Sequence, residues 1–184
     1  MASHYGWAMV LLVIVCTSIF GSLCFAYLFL WTTSPEVWPS AADLAAPGGA
    51  ALSAFLLLAA SVLIAGCGYW LRQGRQGRVR AGMLVGVGVL LAASVVELHG
   101  HWTQGLRPQA SAYAAAVYAV AGLQAIFALL AGTMGVFTVA RSVAGRLSQT
   151  RRACYDTTMM MWHYTVAQGL LGLGLVHAFP RLAG

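Results

Sequence analysis

Five long apolar runs, separated by short polar stretches, dominate the hydrophobic pattern of the 184-residue chain. The runs cover approximately residues 5–31, 48–71, 81–102, 110–139 and 157–179. A helix needs about 20 apolar residues to cross a bilayer, and each run is of that order. The runs show no alternation with a period of two, which is typical of β-barrel strands. The pattern predicts an all-α integral membrane protein, a five-helix bundle in which residues 1–184 form a single transmembrane domain.

The composition excludes the soluble classes of protein. Hydrophobic residues make up 60% of the chain and charged residues only 8%, whereas an average soluble domain is about 25% charged. So few charges cannot cover a water-facing surface, and intrinsic disorder requires low hydrophobicity. In a membrane chain, the net charge of +6 reports orientation, so we expect no nucleic-acid partner.

The arginines are distributed unevenly between the two sides of the predicted bundle. All ten basic residues are arginine, and eight of them fall in the second and fourth loops. Because cytoplasmic loops are enriched in basic residues, this bias predicts a cytoplasmic N-terminus and a C-terminus on the outer side, which is the periplasm if the membrane is a bacterial inner membrane. Basic loops also attract anionic lipid head groups. The residues predicted to do so are Arg72, Arg75, Arg78, Arg80, Arg141 and Arg146.

Two histidines in the last predicted span allow a haem-binding alternative. His163 and His177 are fourteen residues apart, which places them on nearly the same helix face and roughly 21 Å apart along the axis. Histidines within a membrane span can ligate haem. A small b-type membrane cytochrome, an electron carrier, is therefore one hypothesis for the chain.

Glu97 and the four cysteines are the other candidates for chemistry. Glu97 is the only acidic residue that falls inside a predicted span, near the end of the third. A carboxyl group in a membrane is a candidate for proton handling, and a structural polar contact is the alternative. The cysteines form no C-x-x-C pair, so no zinc site or redox dithiol is predicted.

Four strings with characteristic aromatic and polar residues follow one another along the chain. An aromatic-rich stretch at 20–31 precedes Trp38-Pro39, and Glu97 ends the third span. Tyr113 leads into 122–127, and Trp162-His163-Tyr164 lies early in the last span. Together these strings resemble subunit III of the haem–copper respiratory oxidases, the cytochrome c oxidase subunit 3 family. The chain is similar to a short five-helix form that lacks the first two of seven helices.

The resemblance implies a non-catalytic accessory subunit of a proton-pumping terminal oxidase that reduces oxygen to water. Subunits I and II would be its partners, haem and copper would lie in subunit I, and this chain would bind phospholipid but no metal or haem. Cytochrome c is the expected electron donor, with a quinol oxidase as the alternative. The packing signature of the family maps onto Trp38, Pro39, Tyr113, Trp162, His163 and Tyr164.

The chain departs from the family at several polar positions. The family often has a carboxylate midway along the first of these helices, where this chain has residues 15–18 without an acid. An Asp commonly follows the Trp-His-aromatic string, where this chain has Val166. Gln124 and Phe127 stand where the family usually carries two histidines. Roles that depend on those side chains are not expected here.

Overall fold

The computed structural model describes residues 4–39 and 48–183, which form helices and turns and contain no β-strand. The five long helices are α1 (His4–Thr33), α2 (Gly48–Arg72), α3 (Gln76–Thr103), α4 (Ala112–Val143) and α5 (Ala153–Leu173). A 3-10 turn at Pro35–Val37 follows α1. A π-helical turn at Gly174–Ala178 continues α5 into the short helix α6 (Phe179–Ala183). The all-α prediction is confirmed.

Four of these helices, α1 to α4, are long and apolar enough to cross a membrane. By length and composition the chain is a multi-pass membrane protein, as predicted. The fifth predicted span is a helix of the bundle but is not one of these four. It begins at Ala153 instead of residue 157, and its first turns contain Asp156, Thr157 and Thr158. Asp156 forms an ion pair with Arg152, with a distance of 3.3 Å from Nε to Oδ2.

The helices extend further into the polar loops than the apolar runs indicate. Helix α3 begins at Gln76 and includes two arginines, although the run was predicted to start at residue 81. The turn before it is tight, because Gly74 adopts a φ of 72° that glycine tolerates without strain. Helix α4 continues to Val143, beyond the predicted end at 139. Apolar runs mark the membrane-embedded part of a helix, and polar residues extend both helices beyond it.

Helices α2, α3, α4 and α5 form the packed centre of the bundle. In order around it, α2 contacts α3, α3 contacts α4, α4 contacts α5, and α5 contacts α2. Helix α1 packs outside this group, against α4 and α5. It buries a narrow stripe consisting of Met9, Cys16, Phe20 and Tyr27, with the spacing expected of one helix face. Much of the remaining apolar surface of α1 is exposed.

The π-helical turn near the C-terminus has a cause in the sequence. Pro180 has no N–H group to donate to the carbonyl of Val176, and the proline ring crowds the carbonyl four residues before it. The backbone widens here, and the N–H of Phe179 donates to the carbonyl of Gly174, five residues earlier. Such turns occur frequently at functional sites. This one carries His177.

Candidate functional site

Trp162 is the centre of the contacts among α3, α4 and α5. Its side chain is fully buried. A methyl group built on Gly86 of α3 would lie 3.2 Å from the Trp162 ring, and one built on Gly135 of α4 would lie 3.1 Å from it. Two glycines on two helices therefore make the room that the indole ring occupies. Small residues allow this close approach between membrane helices.

The two residues after Trp162 contact other helices. The Nδ1 atom of His163 lies 2.7 Å from the Oγ atom of Ser61 in α2, at hydrogen-bond distance. The ring of Tyr164 is tilted against Phe127 of α4, with 5.8 Å between centroids. Three consecutive residues of α5 therefore reach α2, α3 and α4. The sequence identified the three residues, but it could not identify these contacts.

An aromatic cluster joins the loop after α1 to α4 and α6. The ring of Trp38 makes edge contacts with Tyr27, Trp31 and Tyr113, with centroid distances of 5.2, 5.4 and 5.1 Å. Phe179 packs on Trp31 at 5.3 Å. The structure thus brings together Trp38 and Tyr113, which were predicted as separate parts of the packing signature. Pro39, next to Trp38, is half-buried.

Glu97 lies in a polar cluster, which we call the Glu97 cluster and define as Glu97, His101 and His177. Glu97 is 5% exposed, and His101, one helical turn later in α3, is 3% exposed. The ring of His177 lies parallel to that of His101, with 5.3 Å between centroids and 4° between planes. The sequence placed histidines near Glu97 but did not reveal that His177 joins them across 76 residues.

The two histidines of the haem hypothesis are engaged in different places. His163 contacts Ser61, whereas His177 faces His101. His163 and His177 therefore have different partners and do not face each other. Within residues 4–39 and 48–183, no group of three or more His, Cys, Asp or Glu side chains is arranged to hold a metal ion. The four cysteines are free thiols.

The loops α2–α3 and α4–α5 form what we call the arginine-rich end of the bundle. Arg80 is held internally there, because its guanidinium donates to the carbonyl of Ser142 at 2.9 Å and to its Oγ at 3.0 Å. Gln149 donates to the carbonyl of Arg72 at 2.8 Å. Of the six arginines predicted to contact lipid, Arg80 and Arg141 are half-buried, and four are exposed: Arg72, Arg75, Arg78 and Arg146.

A crevice of about 480 Å³ opens between α4 and α5 near Arg141. Apolar and small polar side chains line it, among them Met134, Phe137 and Thr157. The Arg141 guanidinium lies 5.9 Å from the centroid of the Phe137 ring. Its Nε atom is buried and has no hydrogen-bond partner among the described residues. The crevice thus combines an apolar wall with a positively charged side chain that can bind an anionic group.

Two buried amides on α4 and α5 were not singled out by the sequence pattern as a pair. Gln124 and Gln168 are each 2% exposed, and their amide atoms have no hydrogen-bond partner in the described part of the chain. Gly169 provides the room for Gln124, because a methyl group there would lie 2.6 Å from its Nε2 atom. The glycine therefore allows α4 and α5 to meet around a polar side chain.

Comparison of the chain with models of known protein families gives no match, and comparison with curated proteins gives no significant match. A functional assignment therefore depends on the residues and contacts of the chain itself.

Proposed function

We propose that the chain is a non-catalytic accessory subunit of a terminal respiratory oxidase, equivalent to subunit III. The observation that carries the proposal is the position of Trp162, His163 and Tyr164. This string is the most specific part of the family resemblance, and its members contact three other helices of the bundle. A side-chain set that joins helices suits a subunit whose task is packing, with the oxygen chemistry performed by its neighbour.

The proposed partners are subunits I and II of the oxidase, with haem and copper in subunit I and cytochrome c as the electron donor. The arginine-rich end would face the cytoplasm of a bacterium, because basic loops remain on that side of the inner membrane. In this arrangement α5 crosses the membrane as a fifth span. Its continuation through the π-helical turn gives a helical stretch from Ala153 to Ala183, which exceeds the length a bilayer requires.

Isolation of the tagged chain in a mild detergent tests the proposal. We expect a large haem-containing subunit to co-purify with it, together with oxygen reduction by the isolated complex. In a harsher detergent that dissociates the complex, the chain should lose the haem absorbance, because it holds no haem itself. A Soret band retained by the isolated chain would support the b-type cytochrome instead. A stable, colourless chain recovered alone in mild detergent would refute the oxidase assignment.

Phospholipid retention is the second part of the proposed function. The mainly apolar lining of the crevice between α4 and α5 suits an acyl chain, and Arg141 in its wall offers a positive charge to an anionic phosphate. Arginine binds phosphate through several donors at once. The Nε atom of Arg141 is buried, so the lipid phosphate would bind through the terminal guanidinium nitrogens.

Replacement of Arg141 with glutamine is expected to remove about one co-purified phospholipid per chain, because the head group loses its charged partner. Mass spectrometry of the purified protein measures the lipid. Arg146→Gln is the matched control, because Arg146 is exposed and lies outside the residues that line the crevice. The same lipid content in wild type, Arg141→Gln and Arg146→Gln would contradict this assignment of the crevice.

A further inference from the structure

The Glu97 cluster lines a small, partly open cavity at the end of the bundle opposite the arginine-rich end. The cavity has a volume of about 10 Å³, and its walls include Glu97, His101, Gln104 and His177. A single internal water needs about 10–15 Å³ and two to four polar partners. The cavity meets both conditions at their lower limit.

One buried polar atom beside this cavity lacks a partner. The Nε2 atom of His101 is buried without a hydrogen-bond partner among the described residues. No ion pair within 4.0 Å joins Glu97 to either histidine in the described part of the chain. Buried polar groups are almost always hydrogen-bonded to protein or to ordered water. A water in the cavity, which Glu97 also lines, would give the His101 Nε2 atom a partner.

We propose that the Glu97 cluster binds one internal water and, through it, one proton shared between the Glu97 carboxyl group and the His101 imidazole. In the charged form, the protonated His101 ring donates to the water, and the water donates to the Glu97 carboxylate. Neither charge is then buried alone, which would be costly. The site is formed by residues of this chain alone and does not depend on which complex contains the chain.

The surrounding charges disfavour a second proton in the cluster, on His177. His177 lies parallel to His101 at 5.3 Å, so two protonated rings would repel one another. Arg181 of α6 donates to the backbone carbonyl of His177, and its positive charge acts on the His177 ring. On α4, Tyr118 is tilted against His101 at 5.9 Å. Helix α2 contributes Gly49 and Ala50, which carry no titratable group.

The π-helical turn is what brings the second histidine to the cavity. It widens the helix by one residue just before Pro180 and carries His177 toward α3. His99, two residues before His101, is exposed instead. The two histidines of α3 therefore have different surroundings. The exposed His99 serves as the reference against which the proton affinity of the buried His101 is compared.

Nuclear magnetic resonance of the full chain, labelled with ¹⁵N on its histidines and held in a lipid nanodisc, tests the proposal. The variants His101→Gln and His99→Gln identify the resonances of His101 and His99 among those of the five histidines. We expect Glu97→Gln to lower the proton affinity of His101 about tenfold or more, because it removes an opposite charge nearby. Glu36→Gln, at an exposed carboxyl group, should leave that affinity unchanged. Equal affinities in wild type, Glu97→Gln and Glu36→Gln would overturn the proposal.

The water is tested on the unmodified chain, so the proposal does not depend on the folding of any variant. Infrared difference spectra recorded across a pH step in H₂¹⁶O and H₂¹⁸O should contain an O–H band of an internal water that shifts with the oxygen isotope. The band should persist in Glu36→Gln and disappear in Glu97→Gln. Wild-type spectra without any isotope-shifted water band would overturn the proposal.

Discussion

Replacement of Trp162 with alanine is expected to lower the free energy of unfolding by about 3–5 kcal/mol. The indole is fully buried and fills the space beside Gly86 and Gly135. Neither glycine has a side chain that can move into the cavity. In a membrane, lipid tails are as apolar as the protein interior, so the loss comes mainly from dispersion contacts between closely packed atoms.

Unfolding of the purified chain in mixed micelles, followed by circular dichroism as a denaturing detergent is added, measures this difference. Trp7→Ala is the control, because Trp7 is 62% exposed, and we expect it to change the free energy by no more than about 0.5 kcal/mol. Similar effects of Trp162→Ala and Trp7→Ala would mean that Trp162 does not hold the bundle together. The subunit proposal would then lose the observation on which it depends.

The sequence predicted the helices well because the bilayer leaves few alternatives. An apolar run inside a membrane must satisfy its own backbone hydrogen bonds, and a helix does this within one segment. The run 48–71 therefore matches α2 (Gly48–Arg72) within one residue. The same argument does not apply to the end of α5, where the backbone geometry depends on Pro180 and a π-helical turn.

The candidate sites were predicted less completely because they depend on contacts between distant segments. Glu97 was identified by its charge, but its burial and its neighbour His177 follow from how α3 meets the π-helical turn. The sequence pattern groups Arg80 with lipid-facing arginines because it predicts a basic loop there, whereas Arg80 lies in the first turns of α3. In the structure its guanidinium donates to Ser142 of α4. A local pattern contains no information on which distant residue satisfies a given donor.

Replacement of Gly82 with alanine is expected to destabilise the bundle by about 1–3 kcal/mol, the usual cost of overpacking. Gly82 and Gly86 are four residues apart in α3 and form a G-x-x-x-G pair. A methyl group on it would lie 2.7 Å from the Sγ atom of Cys67 and 2.8 Å from the ring of Trp70, both on α2. Cys67 is fully buried, so α2 and α3 would have to separate.

The matched control is Gly88→Ala in the same helix. A methyl group there would meet no atom within 4 Å, and alanine is favoured over glycine within a helix by up to about 1 kcal/mol. The same substitution should therefore destabilise the protein at position 82 and stabilise it, or leave it unchanged, at position 88. Helix propensity alone predicts a gain at both positions. Opposite signs in one unfolding assay would show that close contact between α2 and α3 requires glycine at position 82, whereas two gains would show that these helices can separate at little cost.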